Sequence, residues 1–527
     1  MIVQKIFLRL ALVIVTGVIT LPVTAQSQYW VFFKDKQGVE FNPYEYFNER
    51  TIEKRKRLGI SLSQYSDLPV KEEYVAEVRQ IAGPTVFVSR WLNGVIVDCA
   101  DRKLKHIADI PFVEAVQPVA TRDVKATSDS LFSFDSQDLL SDQLARFGDS
   151  LFYAQGYDGS GVRIAVLDAG FPGVNKHPAF SHLFDEDRII ETFDFVQEDA
   201  DVYDHSSHGT MVLSCIAGKY GDTNIGLATG AEFLLARTER SLTEPASEEK
   251  NWFEAMEWAD KHGADIISSS LGYSYHRYFK QEMDGRSSLV SKAANIAASK
   301  GIFVVVSMGN EGTNRWQVLV TPADADSVVA VGGIHPNTGI HTPFSSFGPT
   351  ADKRLKPNVT AYGHVLAAKP EGYGQTQGTS FSAPLISGFA ACVWQQHPEW
   401  NNMKLKKELS KSGDLYPYYD YAHGYGVPQA GYFVENAPST EALDIELDIT
   451  INDDYIIVEA PDADLDAVTS YYSQLFYHVE HPDGYLQKFG VAEIKRGKKV
   501  KIKNKPAYSG SDFRIYFKEV IKEKQIP

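Results

Sequence analysis

The strongest constraint on the fold comes from two short apolar runs that each lead to a polar residue. Residues 161–170 read GVRIAVLDAG, where the run stops at Asp168, and residues 301–312 read GIFVVVSMGNEG, where it leads to Asn310. Such runs are typical of strands buried on both faces of a parallel sheet. Open α/β folds place their chemistry at the carboxyl ends of these strands. We therefore expect Asp168 and Asn310 to share one edge of a sheet.

Two other segments place polar residues at the starts of predicted helices. In DHSSHGTMV, His208 precedes a glycine and an apolar helical pattern, and in GQTQGTSFSAPLISG, Ser380 precedes apolar residues at helical spacing. Pro384 is compatible only with a position near the helix start, because it has no N–H to donate. Free N–H groups there would favour negative charge near the serine oxygen. An ordinary N-cap serine is the alternative interpretation.

The segments LDAG, SHGT, MGNEG and GTSFSAP occur in this order, and together they resemble the subtilisin-like serine peptidases, or subtilases. The order Asp, His, Ser matches that family and differs from chymotrypsin-like enzymes and α/β-hydrolases. The resemblance covers roughly residues 140–433. It implies a triad of Asp168, His208 and Ser380, with Asn310 donating a hydrogen bond to the oxyanion.

The same resemblance implies where a protein or peptide substrate binds. Residues 265–272 (DIISSSLG) resemble the family strand that pairs with an extended substrate, and we expect an edge strand with little side-chain bulk. An ordinary core strand is the alternative. The implied substrate-binding residues are Ser270, Leu271, Gly272, Gly309 and Val320. The family often has glycine near Val320, so valine there predicts a shallow pocket that disfavours large aromatic and long basic side chains.

The first 25 residues predict export. Residues 1–25 have Lys5 and Arg9, then an apolar stretch, then the small-residue site VTA. This is the pattern of a secretory signal peptide. A membrane anchor is the alternative, but the apolar core is short for a bilayer span. We therefore expect a secreted or periplasmic protein without a stable membrane anchor.

Residues 26–122 form the next predicted domain. Four strand-like stretches alternate with helix-prone stretches, among them residues 44–58 and 72–81, which predicts a small α+β unit. At this position it resembles the subtilase propeptide, which assists folding and then occupies the substrate cleft as an intramolecular inhibitor. A permanent N-terminal module is the alternative. The basic run Lys54–Arg57 is interpreted as a solvated helix face.

Three further segments complete the predicted organisation. Residues 123–142 are rich in Ser, Asp and Thr, and we interpret them as an exposed connector where maturation cleavage falls. Residues 143–436 are expected, from the resemblance, to form a subtilisin-like three-layer α/β domain with a mostly parallel sheet. Residues 437–527 alternate like strands around the turn HPDG and predict an antiparallel β-sandwich, interpreted as a stabilising appendage.

Three local features add to this pattern. Asp222 and Asn224 lie in GDTNIG, where many subtilases carry a calcium loop, so calcium is a minor expectation beside a simple turn, and no cofactor is required. Cys215 and Cys392 are interpreted as buried free thiols rather than a disulfide. Ala169 stands where the family commonly has Thr or Ser, and we expect it to change only local hydrogen bonding.

Two functions of different class follow from the sequence. The first is an active endopeptidase made as a zymogen, and the second is a catalytically silent subtilase fold used for binding. The presence of every required group favours the enzyme. The formal net charge of −16 argues against a nucleic-acid partner. We expect a monomer.

Overall fold

The computed structural model of the protein describes residues 27–119, 136–240, 247–275, 277–434, 446–460, 474–494 and 499–527, so the predicted signal peptide lies outside it. Its α-helices are α1 (Pro43–Tyr46), α2 (Glu49–Arg57), α3 (Glu72–Ala82), α4 (Leu104–Ala108), α5 (Ser136–Ala145), α6 (Asp149–Gln155), α7 (Ser181–Asp185), α8 (His208–Ala217), α9 (Ser247–Lys261), α10 (Leu289–Ser299), α11 (Thr379–Gln396) and α12 (Asn402–Lys411). Its strands are β1 (Ser27–Phe33), β2 (Thr85–Ser89), β3 (Gly94–Cys99), β4 (Val113–Pro118), β5 (Arg163–Asp168), β6 (Ile189–Asp194), β7 (Lys219–Tyr220), β8 (Thr223–Asn224), β9 (Glu232–Arg237), β10 (Ile266–Ser269), β11 (Phe303–Ser307), β12 (Val329–Ile334), β13 (Val359–Tyr362), β14 (His364–Ala368), β15 (Tyr373–Gln377), β16 (Asp448–Ile451), β17 (Tyr455–Glu459), β18 (Gln474–Glu480), β19 (Leu486–Glu493), β20 (Val500–Lys503), β21 (Asp512–Phe517) and β22 (Val520–Gln525). Within these described ranges, no helix combines the length and the apolar character needed to cross a bilayer.

The first structural unit combines β1 to β4 with α3 and α4. Its sheet has the order β2-β3-β1-β4, and β1 runs antiparallel to both β3 and β4. Alternate residues of the sheet, such as Val31 and Val97, pack with the apolar residues of the two helices. The unit corresponds to the α+β domain predicted for residues 26–122, except that residues 38–69 and 89–92 pack with the second unit.

The second unit is built on a seven-stranded parallel sheet in the order β13-β12-β11-β10-β5-β9-β6. β5, which ends at Asp168, pairs with β10 on one side and β9 on the other. β11, which ends shortly before Asn310, pairs with β10 and β12. Every residue of β10, β11 and β12 is buried. Because successive strand residues point to opposite faces, both faces of the sheet are covered.

Helices cover the faces of this seven-stranded sheet. α8 and α11 pack against each other, and α11 also contacts β10 to β13. Ile164 and Val166 of β5 share one buried cluster with Phe389 of α11. α9 and α10 pack against each other, α9 against β5 and α10 against β11. This is the three-layer α/β domain with a mostly parallel sheet that the resemblance implied.

The predicted solvated helix face at Lys54–Arg57 is wrong for Lys54 and Arg55, whereas Lys56 and Arg57 are exposed as predicted. The helix-prone stretch 44–58 is divided into α1 and α2, because the side chain of Asn48 accepts from the N–H of Thr51 and caps α2. On α2, Lys54 is 3% exposed and Arg55 is fully buried. These side chains pack in the second unit instead of facing water.

The predicted connector is shorter in the structure than in the sequence analysis. α5 begins at Ser136, and its residues Leu139 and Leu140 are buried against Ile225 and Leu366. An apolar pair within a polar stretch is a weak signal, which is why the helix was missed. Residues 120–135, which contain most of the region 123–142 where cleavage was expected, lie outside the described residues.

The predicted edge strand for substrate is also wrong. β10 is an interior strand, hydrogen-bonded to β5 and β11 along its whole length. Its four residues are buried, as the alternative of a core strand predicted. Ser270, Leu271 and Gly272 follow the end of β10, and only this continuation can face a peptide.

The C-terminal strands form two antiparallel sheets, β16-β17-β20 and β19-β18-β21-β22. Ile456 and Ile502 of the first sheet share a buried cluster with Leu475, Phe513 and Ile515 of the second, as in the predicted sandwich. A further cluster joins Phe476 and Tyr516 to Leu415 and Tyr418 of the preceding domain. This buried contact is consistent with a stabilising appendage.

The three cysteines, Cys99, Cys215 and Cys392, are free and buried. Burial raises the pKa of Cys215 to about 12 and raises that of Cys392 further. Thiols held in their neutral form are poor nucleophiles. They pack as small apolar side chains, as the sequence suggested.

Candidate active site

Asp168 and His208 form a hydrogen-bonded pair at the carboxyl edge of the parallel sheet. His208 Nδ1 lies 2.8 Å from Asp168 Oδ1 and 3.0 Å from Oδ2. The carboxylate is fully buried, whereas the histidine side chain is 30% exposed. The N–H of Ala169 donates to the same Oδ1 at 2.8 Å. A carboxylate only accepts hydrogen bonds, so it favours a proton on Nδ1 and leaves Nε2 as an acceptor.

Gly209 permits this close approach. It is the second residue of α8, and it faces the loop that follows β5. A Cβ atom at Gly209 would lie 2.4 Å from the carbonyl oxygen of Gly170 and 3.0 Å from the Cβ of Asp168. Any larger residue would push α8 away from β5. The glycine of SHGT is therefore required for the Asp168–His208 bond.

Ser380 is the second residue of α11, which the hairpin β14–β15 feeds through Gly378. Gly378 has φ +137°, a conformation that residues with a side chain rarely adopt. The ring of Phe381, the next residue, lies 5.4 Å from the imidazole of His208. The start of α11 therefore contacts His208 through Phe381.

Pro384 lies in the second turn of α11, deeper in the helix than the sequence predicted. A proline cannot donate to the carbonyl four residues earlier, which here belongs to Ser380. That carbonyl accepts from Ser270 Oγ instead, at 2.7 Å. Ser380 Oγ in turn points to the carbonyl oxygen of Ser270, at 3.4 Å. The proline thus leaves an acceptor that ties α11 to the end of β10.

Asn310 is fixed against the serine loop. Its Oδ1 accepts from the N–H of Thr379 at 2.9 Å and from the Thr379 hydroxyl at 3.0 Å. Since Oδ1 is occupied, the side-chain NH₂ is the group that can donate to a substrate. Sequence reasoning missed this use of Thr379, although the residue belongs to the GTS motif.

A valine separates the two glycines that would line the pocket for the residue before the scissile bond. A Cβ at Gly272 would lie 2.2 Å from Val320 Cγ2, and a Cβ at Gly309 would lie 2.7 Å from Val320 Cγ1. Val320 is 3% exposed. Leu271 is also buried, so a substrate can reach only its backbone. The valine therefore fills the space between the two loops.

A buried polar cluster holds the segment that carries Val320. The hydroxyl of Thr321 bonds Ser291 Oγ at 2.7 Å, and Ser291 Oγ donates to Asp324 at 2.6 Å. Burial raises the pKa of Asp324. The bridge between Thr321 and Tyr273 adds two backbone hydrogen bonds, of 2.9 and 3.1 Å. With these contacts in place, Val320 cannot swing out of the pocket.

The predicted site residues therefore gather in three groups around one sheet edge. Asp168 and His208 are in contact, Ser380 contacts Ser270, and Val320 contacts both pocket glycines. Their catalytic and substrate-binding roles stay predictions.

The two predicted calcium ligands lie in and beside one short turn. Asp222 is exposed in the two-residue turn between β7 and β8, and Asn224 ends β8. The carbonyl oxygen of the next residue, Ile225, accepts from Gln143 at 2.8 Å. In the part of the chain that the structure describes, no group of three or more His, Cys, Asp or Glu side chains could hold a metal. Calcium binding stays a prediction from the resemblance.

Comparisons with known proteins identify the family of this chain. A sequence profile described as "Peptidase S8 propeptide domain, Bacteroidota" matches residues 28–131. Subtilisin NAT of Bacillus subtilis subsp. natto is 29% identical over 265 residues, which are 49% of this chain and 62% of that protein. Subtilisin of Bacillus pumilus is 30% identical over 264 residues, which are 49% of this chain and 86% of that protein.

The matched region thus spans less than two thirds of subtilisin NAT. A solved structure, described as "Crystal structure of a cold adapted subtilisin-like serine proteinase", has a TM-score of 0.41 and 22% identity, over 52% of this chain and 88% of that chain. The profile of the Subtilase family matches residues 159–426, which is just over half of the 527 residues. The chain belongs to the subtilase family.

Proposed function

We propose that this chain is an exported serine endopeptidase that is made as an inactive precursor. The observation that carries the proposal is the pair of His208 and Asp168, bonded at 2.8 Å beside the start of the helix that bears Ser380. Membership of the subtilase family and the propeptide profile at residues 28–131 support it.

The first step is attack by the serine. His208 Nε2 takes the proton of the Ser380 hydroxyl as the oxygen attacks the substrate carbonyl carbon. Asp168 accepts the Nδ1–H bond, which keeps the imidazole in this tautomer and stabilises the imidazolium that forms. His208 then gives the proton to the leaving amine, and water repeats the sequence on the acyl-enzyme.

The tetrahedral intermediate carries a negative oxygen, which needs donors that are already in place. The NH₂ of Asn310 and the backbone N–H of Ser380 take this role. Oriented donors stabilise the charge as it develops, at no cost of reorganisation. The bonds from Thr379 to Asn310 Oδ1 supply that orientation.

The substrate lies as an extended peptide along Ser270, Leu271 and Gly272. Its side chain before the scissile bond points between Gly272 and Gly309, where Val320 occupies the depth of the pocket. We infer a preference for small residues such as alanine at this position. Large aromatic side chains would meet the valine methyl groups.

The precursor is inactive because the N-terminal segment occupies the substrate cleft, as in other subtilases. We propose export by the signal peptide at residues 1–25, action in the periplasm or outside the cell, and a monomeric enzyme. The new N-terminus is expected within residues 121–142.

The experiment that tests this function compares the exported product of the unmutated chain with that of Ser380→Ala by intact mass and N-terminal sequencing. Loss of about 100 residues beyond the signal peptide from the unmutated chain alone supports self-processing by Ser380. Full-length product from both, with no casein hydrolysis, contradicts it and favours a silent fold used for binding. If both chains are cut alike, casein hydrolysis by the unmutated product decides whether the chain is an active peptidase.

A further inference from the structure

Four charged side chains are buried together at a position that the proposed chemistry does not use. We call Arg55, Asp67, Asp260 and Lys300 the charge cluster. The Arg55 guanidinium lies 2.6 and 3.2 Å from the two oxygens of Asp67 and 2.7 Å from Asp260 Oδ2. Lys300 Nζ donates to Asp67. The four side chains are at most 2% exposed, and their formal charges cancel.

The charge cluster joins two parts of the chain that processing would separate. Arg55 and Asp67 precede the expected cleavage region, whereas Asp260 belongs to α9 and Lys300 follows α10. Burial opposes ionisation of Asp67, but the Arg55 hydrogen bond and the Lys300 charge lower its pKa on balance. Asp67 therefore stays ionised. Replacing one partner by a neutral side chain while both segments stay in place would leave a buried charge unpaired, which is strongly unfavourable.

Helix α2 also completes the end of α9. The last carbonyl groups of a helix have no partner within the helix, and cations are favoured beside them. The hydroxyl of Thr51 donates to the carbonyl oxygen of Asp260 at 3.0 Å. Arg50 Nε donates to that of Gly263 at 3.3 Å, and Lys54 Nζ to that of Ala264. Thr51 therefore caps the last turn of α9, and Arg50 and Lys54 bond carbonyl groups of the segment that follows this helix.

This contact lies at the opposite edge of the sheet from the candidate active site. Arg50 Nη2 is 2.6 Å from the carbonyl oxygen of Gly161 and 2.5 Å from Asp265 Oδ2. Gly161 and Asp265 come just before β5 and β10, whereas Asp168 ends β5 and Ser270 follows β10. A strand of about six residues spans roughly 20 Å. A segment bound at the amino edge therefore does not cover the triad.

We propose that Asp260, Asp265 and Lys300, with the carbonyl groups at the end of α9, form a docking site for the chain's own residues 38–69. This docking holds the N-terminal fragment on the protein after cleavage, independently of the active site. The inference rests on the proposed zymogen function, because only a processed chain has a fragment to release. The partner it fits is a helix with several basic residues on one face, followed by an aspartate.

The test uses the full chain with Ser380→Ala and a recognition sequence for a site-specific protease placed within residues 121–135. After cutting, native mass spectrometry on dilution follows the release of the N-terminal fragment. We expect Asp260→Asn and Arg55→Met each to speed release about 100-fold, since each leaves a buried charge unpaired. Arg79→Met is the matched control. It removes an exposed arginine of the first unit, bonded to Thr85 at 3.1 Å, and should leave the rate unchanged.

Equal release rates in all these variants would overturn the proposal. The double variant Arg55→Met with Asp260→Asn should speed release by less than the two single effects combined, because both substitutions remove the same interaction. Where a variant does not fold, the unmutated cut protein is sufficient, since immediate loss of its fragment on gel filtration contradicts docking. The added protease makes these results independent of Ser380, so failed self-processing would count against the proposed function alone.

A second readout concerns the separation from the active site. Once the N-terminal fragment has been removed from both processed proteins, Asp260→Asn in an otherwise unmutated chain should hydrolyse a short peptide within twofold of the unmutated rate. A larger loss would mean that the docking site is part of the catalytic machinery, which the proposal excludes.

Discussion

Ser270 and Ser380 are linked through each other's backbone carbonyl groups. The hydroxyl of Ser270 donates to the carbonyl oxygen of Ser380 at 2.7 Å, and the hydroxyl of Ser380 points back to the carbonyl oxygen of Ser270 at 3.4 Å. The shorter bond exists because Pro384 cannot use that carbonyl. It fixes the first turn of α11 relative to the end of β10. The position of the proposed nucleophile thus depends on a residue of the substrate-binding segment.

We therefore predict that Ser270→Ala lowers kcat about tenfold with little change in KM, since one hydrogen bond of about 1 kcal/mol is lost. Steady-state kinetics on a short peptide measure this effect. Ser387→Ala is the matched control, because it removes a buried hydroxyl of the same helix, bonded to Ser268 Oγ at 2.9 Å. If both variants have the same kcat, Ser270 has no positioning role.

Val320→Gly should change the side-chain preference. Removing the two methyl groups opens the space between Gly272 and Gly309, and we expect kcat/KM for phenylalanine relative to alanine to rise at least tenfold. Paired peptide substrates that differ only at this position measure the ratio. Val318→Gly, two residues away and half-buried, controls for the flexibility that glycine adds. An unchanged ratio in Val320→Gly would show that the valine does not limit the pocket.

Asn310→Leu should lower kcat by about 10²–10³-fold and change KM little, the usual result of losing one oxyanion donor. The leucine keeps the volume of the side chain but cannot donate. Kinetics must be accompanied by a thermal unfolding curve, because Asn310 also accepts two bonds from Thr379. A comparable rise in KM would instead indicate a role in substrate binding.

The contribution of Glu257 to the stability of the precursor should fall as pH rises from about 4.5 to 7. Burial raises the pKa of Glu257 from 4.5 to about 7, although its carboxylate accepts from Ser89 Oγ at 2.6 Å and from the Trp91 N–H at 3.1 Å. The folded precursor then holds a proton that the unfolded chain has lost, so this contribution is complete below pH 4.5 and is lost as pH passes 7.

Glu257→Gln should remove this pH-dependent contribution, which is at most about 3 kcal/mol. Chemical unfolding of the Ser380→Ala precursor at several pH values measures it. Glu254→Gln, on the same helix and half-buried, should keep the slope of the unmutated chain. Stability that rises over this range in a Glu257-dependent manner would contradict the assignment.

Much of the candidate site could be predicted from the sequence, because strong local signals mark the positions of its residues. An apolar run that stops at Asp168 can only be a buried strand with a polar end. A helical pattern that starts at His208 or at Ser380 places the start of a helix at that same edge of the sheet. The convergence of these ends is a property of parallel sheets rather than of individual contacts.

The charge cluster and the interior position of β10 could not be predicted in this way. A basic run such as Lys54–Arg57 is solvated in most proteins, and its burial depends on Asp260, about 200 residues away in sequence. The small residues of DIISSSLG are equally compatible with an edge and with the centre of a sheet. In both cases the deciding partner is distant in sequence, which local patterns do not record.

The burial of α11 has a consequence for the cell that makes this protein. Apart from Ser380 and the last two residues, every residue of this helix is buried, and the helix packs against four strands of the sheet. Under the proposed mechanism, Ser380 can therefore meet His208 only after the centre of the domain has formed. An unfolded or misfolded chain would carry every proposed catalytic residue and still be unable to attack its neighbours.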